Sequence, residues 1–183
     1  MEADWEFEIA PDAPVIDAAW PGLIDLRRAP HRISDIPEAA QSPAIAAALL
    51  RLNSPESPVW TSKCDLWQPE SLDPDEFDSP PGESTAALAC YIDLLPANQH
   101  LWSTLDLIAA FCLDLCTHLR AQPVRQCRLD LVARTAFVAP GESTLGITAY
   151  LAACAATPPA ASQNLSATLA AFSDSVLALG SRL

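Results

Sequence analysis

The 183 residues suffice for one ordinary domain and leave little room for a second. Half of them are apolar, which is enough for a sizeable core and excludes a wholly disordered chain. With 23 acids against 10 bases, the net charge of −13 repels phosphate backbones and anionic membrane surfaces, so neither nucleic acid nor membrane is expected as a partner.

The first residues, Met1 to Trp5, are acidic and lack a basic start followed by an apolar run, so no targeting segment is expected. Trp5, Phe7 and Ile9 alternate with Glu6 and Glu8, a short strand-like pattern. Pro21 and Gly22 sit at the central positions expected for a type II turn, between the apolar runs Val15-Ile16-Asp17 and Leu23-Ile24-Asp25. Such a turn splays hairpin strands, so a hairpin is not assigned. Ser42 and Pro43 predict a capped helix over 43–52, ended by Asn53 and Pro55.

Beyond residue 55 the pattern becomes regular. Val59 to Trp67 reads as a strand, and 68–83, with six acids and no base, as an exposed acidic loop. Ala86 to Leu95 is a second strand. Ser103 is the expected cap of a helix carrying the stripe Leu105, Ile108, Cys112, Leu115 and Leu119. Asp106, Asp114 and His118 interrupt its apolar character too often for a membrane span. Cys127 to Val138 and Thr144 to Cys154 are further strands. A last helix over about 162–179 carries Leu165, Leu169, Phe172, Val176 and Leu179.

The expected fold is α+β in a single domain over 1–183. Its core, 56–183, is a two-layer sandwich: a four-stranded, largely antiparallel sheet with two helices on one face, in the order β-β-α-β-β-α. Residues 1–55 form a mostly irregular or helical extension before it. A hint of duplication accompanies this order. Pro81-Gly82-Glu83-Ser84-Thr85 recurs as Pro140 to Thr144, and at the same offset Tyr91 falls on Tyr150.

No enzyme class rises above background. The three histidines, His31, His100 and His118, are scattered, and no Cys-x-x-Cys occurs, so no metal or cofactor is expected. Six cysteines inside apolar segments read as reduced core residues of a cytoplasmic protein. Cys64 has a basic neighbour, Lys63, but strand alternation turns the two side chains apart. The Gly141 to Gly146 stretch is not a nucleophile elbow.

What remains is one face of the sheet. Alternation points Trp60, Cys64 and Leu66 inward and Thr61 outward. It gathers Lys63, Asp65, Trp67, Tyr91, Asp93, Arg128, Asp130, Arg134 and Tyr150 on the outward face, a mixture favoured at recognition surfaces. Three readings compete: a solvated face laced with ion pairs, a face covered by the N-terminal segment with Trp5, Phe7 and Trp20, and a binding face. The binding reading makes the chain a non-enzymatic module for a basic protein partner. The alternative is a small-molecule binder or enzyme whose pocket lies between the N-terminal segment and the sheet. Trp60, Trp67, Tyr91 and Tyr150 would line that pocket, and Lys63 and Arg128 would fix an anionic ligand. Self-association through strand edges at 59–67 or 144–154 is a third possibility.

Overall fold

The computed structural model describes residues 1–70, 74–77, 79 and 84–180. The class is α+β: a six-stranded mixed sheet with helices packed against one face. Strands β3 (Val59–Trp67), β4 (Ala86–Pro96), β5 (Cys127–Ala139) and β6 (Glu142–Ala155) pair antiparallel in the order β5-β6-β4-β3. The expected four-stranded sheet is thus extended. Strands β1 (Glu2–Phe7) and β2 (Ile16–Asp17), from the N-terminal segment, both pair with β5 in parallel. The β1 pairing joins positions more than a hundred residues apart, so no local pattern announces it.

The helices are α1 (Pro37–Gln41), α2 (Pro43–Leu52), α3 (Leu105–Arg120) and α4 (Pro158–Gly180). Helix α2 begins where Ser42 accepts from the Ile45 amide and Pro43 fills the first turn. The cap of α3 is Thr104, one residue beyond the expected Ser103, and it accepts from the Leu107 amide. Leu105, at the first position of α3, is half exposed, whereas Ile108, Cys112, Leu115 and Leu119 are fully buried. Helix α4 packs on β6 and β4 and touches α2 and α3. Its stripe from Leu165 to Leu179 meets Cys90, Ile92, Leu94, Leu129, Leu131 and Ile147 in the main core. All six cysteines are free thiols, and only Cys64 is not fully buried.

A second, smaller core lies on the opposite face, formed by Ile16, Ala18, Trp60, Leu95 and Ala136. It exists because the N-terminal segment clasps the sheet. After β2 the chain crosses the outward face, then rounds the edge at β3. Leu26 and Ala39 rejoin the main core on the helix side. Gly146 makes the crossing possible. A Cβ there would meet the Ile16 Cδ1 at 2.8 Å and the Leu94 carbonyl at 3.1 Å.

Two expectations about local geometry are corrected. The register of β3 shifts between Thr61 and Cys64, so one extra residue separates two correctly alternating halves. Trp60 therefore pairs with Leu95 and faces outward, while Thr61 turns toward the helix side, where the Asn53 amide donates to its hydroxyl at 2.7 Å. At Trp20-Pro21-Gly22-Leu23 the Leu23 amide donates to the Trp20 carbonyl, but Gly22 lacks the positive φ of a type II turn. Glycine is needed there for space: a Cβ would fall 1.9 Å from the Trp20 ring. The positive φ belongs to Gly141, at +80°, in the turn between β5 and β6.

The acidic loop is only partly described. Pro74–Phe77 forms a 3-10 turn, and Phe77 and Ser79 are buried, so the loop is not exposed throughout. Its Pro81-Gly82-Glu83 repeat lies outside the described residues. Among those described, Tyr91 and Tyr150 are direct cross-strand partners.

Candidate functional site

The strap that forms the second core covers one end of the outward face and leaves the other end open. The self-covering reading thus holds for residues 16–27 and not for Trp5 and Phe7, which belong to β1. All nine candidate residues lie on the outward face, but in four groups with different fates.

The first group straddles the covered and open ends. Asp93 is 6% exposed and accepts from the Thr148 hydroxyl at 2.7 Å. Arg134 donates to the same hydroxyl at 3.0 Å and to the Tyr150 hydroxyl at 3.1 Å, and it grips Glu8 at 2.6 and 2.8 Å. Burial pushes the Asp93 carboxyl above its ordinary value, while the Thr148 hydrogen bond and the charges of Lys63 and Arg134 pull it back. Both charged groups are engaged within the chain.

The second group is Arg128 with Asp130, joined by two hydrogen bonds of 2.7 and 3.0 Å, with Glu76 of the acidic loop 3.7 Å from the guanidinium. The third is a row of rings. Trp67 lies 6.4 Å from Tyr91, and Tyr91 lies 6.0 Å from Tyr150. Burial and the nearby Asp93 and Asp65 push the Tyr91 hydroxyl up to about 12. Asp65, beside this row, accepts from the Leu66 amide. The fourth is Lys63 alone, at the β3 edge, its ammonium 5.6 Å from the centre of the Trp20 ring.

Parallel pairing of β1 brings further residues to this face. Glu2 stands opposite Arg128, Asp4 opposite Asp130, and Glu6 opposite Val132. A trough of ≈ 540 Å³ runs between β1 and Tyr150, with Asp4, Glu6, Glu8 and Asp130 among its lining residues. Arg128 and Arg134 also line it, but their charges are matched by Asp130, Glu76 and Glu8. The carboxylates of Asp4 and Glu6 form no ion pair among the described residues, so the trough carries a net negative charge. Sequence reading did not assign these acids to the face. Their alternation with Trp5 and Phe7 was the available signal, and the missing information was the partner strand.

A separate cleft lies between the N-terminal segment and the β3 edge. Tyr91 and Lys63 line it, but Trp60, Trp67, Tyr150 and Arg128 do not. Trp60 is instead packed in the second core under the Arg27 guanidinium, 3.9 Å from its ring centre. Cys64 borders the cleft. Burial, then Glu38 and Asp65, push its thiol up to about 12, which disfavours the thiolate.

Strand β6 is interior to the sheet, so an edge at 144–154 does not exist, whereas β3 is an edge. Both edges are blunted. Asp65 takes up the Leu66 amide on β3, and Asp4 takes up the Trp5 amide on β1. No helix among the described residues is long and apolar enough to cross a membrane. No group of three metal-ligating side chains converges among them. No protein-family model matches the chain, and comparison with curated proteins and with solved structures gives no match.

Proposed function

We propose that this chain is a non-enzymatic binding module that docks a basic segment of a partner protein on the open half of its outward sheet face. The trough between β1 and the tyrosine row carries this reading. It is concave, it holds carboxylates that the chain itself leaves unmatched, and Tyr150 forms part of its wall. Tyr91 and Trp67 extend that wall as an aromatic row. Carboxylates beside aromatic faces suit Lys and Arg side chains, through charge pairing and cation–π contact together. The overall charge of −13 steers the same class of partner toward the molecule. A protein partner is favoured over a nucleic acid on the same charge argument.

The residues that test this are those free of the internal network. Reversing Asp93 or Arg134 would break buried hydrogen bonds and confound binding with folding. Glu6→Lys avoids that, and Asp65→Lys gives up only the exposed hydrogen bond from the Leu66 amide. A random peptide library selected on the intact chain is expected to enrich Lys and Arg beside aromatic residues. The best peptide should lose about tenfold in affinity on either variant and weaken as salt rises. Equal enrichment of neutral or acidic peptides, or unchanged affinity on both variants, would overturn the proposal.

A further inference from the structure

The cleft at the β3 edge is a site of a different kind. It measures ≈ 450 Å³, within the range that small ligands fill, and its apolar walls include Trp20, Ile24, Ile36, Pro37, Leu49 and Tyr91. The absent side chain of Gly22 lets the Trp20 ring pack against the backbone and form one of those walls.

The polar groups around the cleft divide into the satisfied and the unsatisfied. Asp35 is held by Arg32 at 2.8 Å, and the Thr61 hydroxyl by Asn53 at 2.7 Å. The Ser62 hydroxyl and the Trp20 indole nitrogen, by contrast, are buried atoms without a hydrogen-bond partner. Among the described residues the Glu38 carboxylate has only the Cys64 thiol as a hydrogen-bond partner, 3.9 Å away. Lys63 pairs with no carboxylate among the described residues and rests near the Trp20 ring. An apolar recess therefore carries a carboxylate and an ammonium that form no ion pair among the described residues.

The β3 backbone narrows the choice of ligand. Its edge amides at Val59, Thr61 and Leu66 accept no partner strand, because the side chains of Ser57, Asn53 and Asp65 already engage them. A compact molecule fits between these blocks, and an added strand does not. Net charge narrows it further. An anion is repelled by the molecule and leaves Glu38 unmatched, and a simple amine leaves Lys63 unmatched.

We propose that the cleft binds a small zwitterion of the amino-acid class. The apolar side chain lies between Trp20, Ile36 and Leu49, the ammonium pairs with Glu38, and the carboxylate with Lys63. This site is distinct from the peptide trough: Tyr91 belongs both to the cleft and to the aromatic row, but Trp67 and Glu6 take no part in the cleft.

The test is calorimetry and tryptophan fluorescence on the intact chain with the standard L-amino acids. Isoamylamine and 4-methylvalerate serve as leucine lacking one charge. Saturable binding of an apolar amino acid such as leucine or phenylalanine is expected, with both analogues at least about tenfold weaker. Lys63→Met should abolish the preference over the amine, and Glu38→Gln the preference over the acid. Glu6→Lys should leave both intact. If no amino acid binds at millimolar concentration, or if leucine and its analogues bind alike, the proposal falls. The ligand series on the unaltered chain decides this even if a variant fails to fold. Loss of binding here with peptide selection intact would refute this site alone.

Discussion

The two ends of the outward sheet face are built from the same four antiparallel strands and have opposite fates. At one end Ile16, Ala18, Trp60, Leu95 and Ala136 close into a second core under the N-terminal strap. At the other, Trp67 is 37% exposed, and Tyr150 borders a trough rich in acids. At the covered end, Gly146 leaves room for Ile16. The Asp93–Thr148–Arg134 network marks the boundary. The contrast separates stability from recognition within a single sheet face, and it predicts that substitutions sort by end.

The largest effects belong to the covered end. Trp60→Ala removes a ring that is 7% exposed and stacked under Arg27, and it is expected to cost about 3–5 kcal/mol in urea unfolding. Gly146→Val, which drives a side chain into Ile16 and the Leu94 carbonyl, should cost about 1–3 kcal/mol. If Trp60→Ala were tolerated at less than about 1 kcal/mol, the strap would not be part of the cooperative unit, and the comparison would collapse.

How much of this could be read beforehand depends on the range of the forces involved. The four antiparallel strands, α2 and the two long helices are written in local periodicity, because burial of one face imposes a period of two or 3.6 on each element. The site residues on β4, β5 and β6 follow from the same alternation. Trp60 and Thr61 did not, because a bulge inverts parity without leaving a mark in residue type. Nor did the acids of β1, since a parallel pairing with β5 is a long-range choice. Gly22 and Gly146 were legible as glycines but not as spaces, because what they accommodate comes from elsewhere in the chain. The cleft at the β3 edge was expected in outline only, and most of its lining was hidden by the same long-range packing.

A smaller effect tests the boundary. A buried carboxyl that holds its proton more tightly when folded favours the folded state at low pH. That contribution is lost as pH rises from the unfolded value through the raised folded one. Asp93, shifted upward by burial, is therefore a net liability at neutral pH. Asp93→Asn keeps an oxygen acceptor for the Thr148 hydroxyl and removes the buried charge. It is expected to gain about 1 kcal/mol at neutral pH. That gain should shrink as pH falls below the ordinary aspartate value of about 3.9, where the carboxyl is protonated in both folded and unfolded states. Urea titrations at the two pH values decide it. A loss at neutral pH would mean that Lys63 and Arg134 outweigh burial, making the boundary an ion-pair lock.

The smallest expected change in stability is at the open end, and it discriminates best. Trp67 contributes a tilted ring contact to Tyr91 at 6.4 Å and little buried area. Trp67→Ala should therefore cost less than about 1 kcal/mol. As the outermost ring of the row, it should also weaken the best library-selected basic peptide by about tenfold, since exposed aromatic residues contribute most once a partner covers them. Stability and affinity move in opposite proportion to Trp60→Ala, whose folded fraction should bind the peptide normally. Were Trp67→Ala instead to lose several kcal/mol with peptide affinity intact, the open end would be a third piece of core. The acids of β1 would then be a solvated edge, with recognition left to the cleft.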